Sequence, residues 1–235
     1  MAKFIVIDGL DGCGKASQTK LLKENLDKLG YDAHIISFPN YSSPSSAAVK
    51  MYLQGEIGTN AEDLNPYMCG SFYAVDRFIS YHKEYRSLFE KDDNTVILAD
   101  RYLSSNIIHQ GGKLINIEDR RNYAKWCYEY ECELCGMPKE DLTILLTVPP
   151  SISQKLITSR YNGDNSKKDI HEANVEYLED CYNRLVDSVD CINNNVKDVT
   201  WEHLDCYDES SENGIKTIDE IQKTILERVL NILKN

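Results

Sequence analysis

At 235 residues, 42% hydrophobic and 27% charged, the chain has the size and make-up of one α/β domain; wholesale disorder and a fibrous repeat are excluded. Its 26 Lys and Arg against 38 Asp and Glu give a net charge of −12. That argues against a broad nucleic-acid face or adhesion to an anionic membrane, yet leaves room for a local cationic pocket. No apolar run approaches the ~18 residues of a membrane span, and the N-terminus shows no cleavage site, so a cytosolic protein is expected.

The first element is a short apolar run, residues 4–8, read as a strand. It feeds Gly9-Leu10-Asp11-Gly12-Cys13-Gly14-Lys15-Ala16-Ser17 and then a helical pattern over 17–29. This nearly matches G-x-x-x-x-G-K-[ST] in the strand–loop–helix setting that gives the motif meaning. Glycines let backbone N–H groups curl around a phosphate, the helix N-terminus adds partial positive charge, and Lys15 reaches the outer phosphates of ATP. Ala16 departs from the pattern, because the hydroxyl that usually ligates Mg²⁺ is missing. Metal ligation must then pass to water, Ser17 or a carboxylate such as Asp11.

Further along, strands are expected at 34–38, 95–100, 143–148 and 199–205. Helices are expected at 45–54, 65–89, 117–136, 171–190 and 217–233. Strands alternating with helices imply a five-stranded parallel sheet with helices on both faces. The polar stretch 161–169, YNGDNSKKD, reads as a short mobile lid spanning about 159–170, and 208–214, DESSENG, as a solvated acidic loop. Cys127, Cys132 and Cys135 have a spacing seen at some iron–sulfur sites, but no nearby fourth ligand completes a set, so all eight cysteines are read as free thiols.

Three clusters fall where a doubly wound sheet binds ligands, at strand C-termini or on helices overhanging them. They are Phe38-Pro39-Asn40-Tyr41, Tyr73-Ala74-Val75-Asp76-Arg77, and Asp100-Arg101-Tyr102 followed by Ser104-Ser105-Asn106. Taken alone, Arg77 reads equally as half of a surface ion pair with Asp76, and Tyr73 as a core aromatic.

Together with the glycine loop, with Gly136-x-Pro138-x-x-Asp141-Leu142 and with Asp169-Ile170-His171-Glu172, these residues resemble the thymidylate kinase family. The likeness runs from about Lys3 to Arg184. It implies a P-loop NTPase fold and transfer of the γ-phosphoryl group of ATP to dTMP, with Mg²⁺ as cofactor. It also implies a homodimer packed away from the nucleotide sites. Tyr73 would stack on thymine, Arg77 would donate to O4, and Asn106, with Ser105 beside it, would meet the N3 edge. Arg101 would grip the monophosphate or the moving phosphoryl group, with Phe38 and Tyr41 shaping that pocket. Asp11 would meet the sugar 3′-hydroxyl or the metal, and Glu172 is a second metal candidate. His109 stands where some relatives have a tyrosine that disfavours ribose. The loop carries no cation at Gly12 or Cys13, so Arg160 in the lid, helped by Lys167 and Lys168, is the expected source of catalytic charge. Two alternatives stay open. Deoxynucleoside kinases of the same fold usually carry Glu-Arg-Ser where this chain has Asp100-Arg101-Tyr102. A catalytically weak nucleotide-binding module is suggested by Ala16 and by the uncharged Asn40.

Overall fold

A computed structural model describes residues 1–211 and 213–234, less the side chain of Asn165; Glu212 of the acidic loop therefore lies outside the described residues. The core is one five-stranded sheet in the order β2-β3-β1-β4-β5, every pair parallel. Its strands are β1 Lys3–Gly9, β2 Asp32–Ser37, β3 Thr95–Asp100, β4 Leu142–Thr147 and β5 Trp201–Asp205. This is the five-stranded parallel sheet the alternating pattern implied, and it is consistent with the P-loop NTPase fold that the resemblance implied. The three central strands are buried almost throughout, whereas edge strands β2 and β5 alternate buried and exposed residues.

Because side chains alternate across a strand, β1 feeds two cores at once. Phe4 and Val6 join Ile97, Ala99, Leu145 and Trp201 on one face, beneath α5 (Leu103–His109), α6 (Ile117–Tyr128) and α8 (Val175–Asn195). Ile5 and Ile7 join Val96, Leu98, Ile144 and Leu146 on the other, beneath α1 (Lys15–Lys28) and α9 (Ile218–Leu233). Thr217 and Glu220 close a reciprocal capping box at the start of α9.

Several boundaries differ from the sequence reading. The stretch 45–54 opens with a 3₁₀ turn before α2 (Ala47–Leu53). The stretch 65–89 is α3 (Pro66–Ser80), a π-turn at Tyr81–Tyr85, then α4 (Arg86–Phe89). The stretch 117–136 is α6 followed by a second π-turn, Glu129–Leu134. Helix α8 starts at Val175 and runs on to Asn195. Two helices had no predicted range, α5 and α7 (Pro150–Arg160), the latter entered through Pro149-Pro150. Between α7 and α8 the lid stretch holds a 3₁₀ turn at Asn165–Lys167 and meets α2 where Ile170 N–H donates to the Leu53 carbonyl at 3.3 Å.

Candidate active site

β1 and β3 end side by side, Ile7 opposite Asp100, and both deliver polar residues to the carboxyl edge of the sheet. Beyond β1 the chain turns through Gly9, Gly12 and Gly14, all at positive φ. A Cβ at Gly9 would lie 2.0 Å from the Leu146 carbonyl oxygen, so β4 leaves room for nothing but glycine there. Gly14 caps α1, whose first residue is Lys15. The Lys15 ammonium sits on the loop itself, donating to the carbonyls of Leu10 (2.7 Å) and Gly9 (3.1 Å). The cavity over this loop is lined by Asp11, Gly12, Gly14, Lys15, Ala16, Ser17, Asp100, Arg101 and Arg160. Leu10 and Cys13 are buried beneath it, and burial pushes the Cys13 thiol up.

A second cavity adjoins the first and shares Asp11 and Arg101 with it. Its walls include Phe38, Tyr41, Tyr73, Arg77, Ser105, Asn106, His109, Gln110, Asp169 and His171. Every acceptor-side residue expected from the sequence is therefore brought to one cleft. Asp76 does not pair with Arg77. Fully buried, it accepts from the Asn40 N–H (2.8 Å) and the Ser45 hydroxyl (2.5 Å), pinning the loop that carries Asn40 and Tyr41. Arg77, 1% exposed, is clamped by Glu131, with Nε to Oε2 at 2.7 Å and Nη2 to Oε1 at 2.6 Å. Burial alone would lower the Arg77 pKa, but the Glu131 carboxylate more than offsets it and holds the guanidinium charged.

Between the cavities, Arg101 occupies the left-handed region at φ 69°, with its N–H donating to the Ile7 carbonyl at 3.2 Å. Its guanidinium pairs with Asp11 and reaches the Ser105 hydroxyl at 3.3 Å. Burial raises the Asp11 carboxyl, yet Arg101 first and Lys15 next hold it well below the usual carboxylate range. Ser105 and Ser104 in turn donate to Asp8, a wholly buried carboxylate satisfied by hydroxyls and backbone N–H groups rather than by a cation.

Two buried side chains in the second cavity carry polar atoms without hydrogen-bond partners among the described residues: both ring nitrogens of His109 and both amide atoms of Gln110. His109 stacks on His171 at 5.5 Å, and burial lowers its pKa to about 4, so the imidazole is neutral at pH 7. Sequence reasoning missed Gln110 and Glu131. The former sits just past the end of α5 and the latter in a π-turn; neither belongs to a motif or a periodic pattern.

The charges expected of the lid divide. Arg160, at the end of α7, lines the phosphate-loop cavity and pairs with Glu172 at 3.1 Å. Lys167 and Lys168 instead line a wide hollow of about 810 Å³ between α2 and the lid, with Lys168 donating to Gln154 at 2.9 Å. They are not brought to the phosphate loop. The carboxylates expected as metal ligands also face protein partners. Asp11 faces Arg101, and Glu172 accepts from Arg160 and from the Tyr161 hydroxyl (2.9 Å). Asp100 lines the same cavity, and among the described residues its carboxylate accepts no hydrogen bond. Burial raises its pKa, so a cation there would stabilise the charged form. Of the clustered cysteines, Cys127 is buried and Cys132 and Cys135 half-buried, all free; no three metal-ligating side chains converge among the described residues.

The sequence is similar to those of known proteins. The family model described as thymidylate kinase matches residues 7–202. The chain is 28% identical over 176 residues to a thymidylate kinase of Clavibacter sepedonicus, covering 72% of this chain and 76% of that protein. It is 27% identical over 205 residues to a thymidylate kinase of Plasmodium falciparum, covering 84% and 90%. It is 26% identical over 214 residues to a thymidylate kinase of Exiguobacterium, covering 86% and 95%.

Proposed function

Because this chain belongs to the thymidylate kinase family, we propose that it transfers the γ-phosphoryl group of ATP to dTMP, giving dTDP and ADP. The observation that carries the reading is the pair of cavities meeting at Asp11 and Arg101: one is walled by a phosphate loop, the other by base-sized aromatic and amide surfaces. Phosphoryl transfer needs in-line positioning and positive charge on the moving group, and little covalent chemistry.

The phosphate loop holds the ATP tail through backbone N–H groups, and Lys15 leaves the Leu10 carbonyl for the outer phosphates. The acceptor enters the second cavity with its base against Tyr73 and its phosphate toward Arg101, the cation common to both cavities. Arg77 offers Nη1 to the thymine 4-carbonyl. The amide nitrogen of Asn106 is already committed to Gly70 O (3.1 Å) and Glu131, so its oxygen is left to accept from N3–H. Gln110 adds an unpaired amide to the same wall. Cytosine would set its amino group against a buried guanidinium, and unpaired buried groups of this kind give strong discrimination. Phe38 and Tyr41 close the phosphate end, and His109 lies between base and phosphate, 4.0 Å from Asp11. Arg160 stands at the phosphate-loop side to meet charge developing on the γ-phosphoryl group. Magnesium would be held by Asp100, with the Ser17 hydroxyl a further candidate ligand lining the same cavity, and would neutralise charge on the bound phosphates. The whole chain acts as one nucleotide-kinase domain in the cytoplasm, assembled as a homodimer.

Steady-state ADP release with dTMP, dUMP, thymidine and deoxyguanosine tests the proposal. Magnesium-dependent turnover of dTMP well above the nucleosides is expected. Turnover of thymidine without dTMP would replace it with a deoxynucleoside kinase, and nucleotide binding without product would replace it with a binding module.

A further inference from the structure

Arg77 in the acceptor cleft is held by a residue that does not line it. Glu131 is 2% exposed and lies in the π-turn Glu129–Leu134 that ends α6. A π-turn adds one residue to a helical turn and rotates the residues after it around the axis. Here it closes through Cys135 N–H on the Tyr130 carbonyl (3.1 Å) and hands over to Gly136 at φ 70°. The carboxylate then grips Arg77 by Nε and Nη2, 2.7 and 2.6 Å away, and its Oε1 also takes the Asn106 amide nitrogen at 3.4 Å.

Those contacts fix the polarity of the recognition edge. With Nε–H and one Nη2–H spent on Glu131, the nitrogen of Arg77 that makes no bond to the carboxylate is Nη1, which reaches the Tyr102 carbonyl at a long 3.4 Å. Asn106 has two acceptors around its nitrogen, Gly70 O and Glu131 Oε1, so the amide cannot turn over without setting oxygen against oxygen. The cleft therefore presents a guanidinium N–H edge, which can only donate, beside an amide oxygen, which can only accept. That is the complement of a base edge with a carbonyl next to an N–H, and the opposite of one with an amino group next to a bare ring nitrogen.

We infer that Glu131 is a positioning residue for base selection: by holding Arg77 and Asn106 at once, it makes the cleft accept 4-oxo pyrimidine monophosphates and reject 4-amino ones. The inference rests on the acceptor reading above and deepens it. Once Glu131 is changed, Arg77 is free to swing and Asn106 is held by Gly70 alone, so the preference should weaken even though every cleft-lining side chain is intact.

Calorimetric binding of dTMP, dUMP and dCMP, beside steady-state kinetics, tests this on the full-length protein. Glu131→Gln should raise the dTMP dissociation constant and KM about a hundredfold, the loss of a charge-assisted pair, with a smaller effect on kcat. The dUMP-over-dCMP preference should fall at least tenfold while affinity for an ATP analogue stays within about twofold. Glu131→Asp keeps the charge balance where Gln leaves a buried guanidinium unpaired, so it decides the question if the first variant does not fold. Its carboxylate is withdrawn by one methylene, and it should lose roughly tenfold in dTMP affinity with part of the base preference. A parent that prefers dUMP to dCMP, and whose Glu131→Asp variant keeps that preference unchanged, would overturn the inference and leave the kinase reading standing. A parent that binds none of the three monophosphates would overturn both.

Discussion

The donor side and the acceptor side of this cleft are built by different means. The phosphate loop is a backbone site. Its donors are main-chain N–H groups, its shape comes from three glycines at positive φ, and one consecutive stretch of sequence encodes nearly all of it. The acceptor cavity is a side-chain site, drawing Phe38 and Tyr41 from beyond β2, Tyr73 and Arg77 from α3, and Asn106, His109 and Gln110 from α5 and its end. A backbone site tolerates side-chain change, whereas each member of a side-chain site is singly responsible for one contact.

Arg101 belongs to both sides, and its loss should be the most severe. Arg101→Ala should lower kcat by about 10³-fold or more and also lower the melting temperature, because the buried Asp11 carboxylate loses its nearest cation, as measured by ADP release and thermal unfolding. An active variant would show that the two cavities do not share a cation in catalysis. Next comes a change confined to the acceptor side. Gln110→Leu removes two buried polar atoms that make no well-formed hydrogen bond among the described residues, so it should stabilise the ligand-free protein by about 1 kcal/mol while weakening dTMP roughly tenfold or more. Opposite signs in melting and in calorimetry mark a residue kept for its ligand; a loss in both would mark a structural one.

A third change probes the lid face. Asp169, whose Oδ1 accepts from the N–H groups of His171 (2.8 Å) and Glu172 (2.9 Å), has its pKa raised to about 7, by burial first and by Asp11 next. The native state then keeps a proton that the unfolded chain has already lost. Stability from this group is full below the unfolded value near 4, drains as pH rises, and is gone above about 7. Asp169→Asn keeps an oxygen for both N–H groups, so it should raise stability at pH 8 by on the order of 2 kcal/mol and leave it unchanged at pH 4. Equal effects at both pH values would place the cause elsewhere. Smallest of all should be Ala16→Ser on the backbone-built side, which restores a hydroxyl to the loop and should change kcat about threefold at most, chiefly through a lower Mg²⁺ requirement. A large gain would show that the loop depends on its side chains after all.

The same division explains what could be read from the sequence. The five-stranded parallel sheet with helices on both faces and the phosphate loop rest on periodicity and on glycine spacing within a few residues, and both leave a local signature. Phe38, Tyr73, Arg77 and Asn106 were reachable because the family resemblance supplied them. Glu131 was not, because it stands 54 residues from its partner Arg77 and a single π-turn leaves no period to detect. Nor was the separation of Arg160 from Lys167 and Lys168 legible. The polar lid stretch offered Arg160 with two helping lysines, and nothing local to it signals that Lys168 bonds Gln154 on α7 while Lys167 and Lys168 line the other hollow. Asp76 and Arg77 adjoin in sequence, but neighbours on a helix point about 100° apart, so their partners lie in different places.

The backbone of Arg101 has a practical corollary. An L-residue at φ 69° is disfavoured by about 1–2 kcal/mol, a handicap that glycine escapes altogether. Glycine would relieve that handicap but leave the buried Asp11 carboxylate without its nearest cation, so even selection for heat resistance alone should keep an arginine between the two nucleotides.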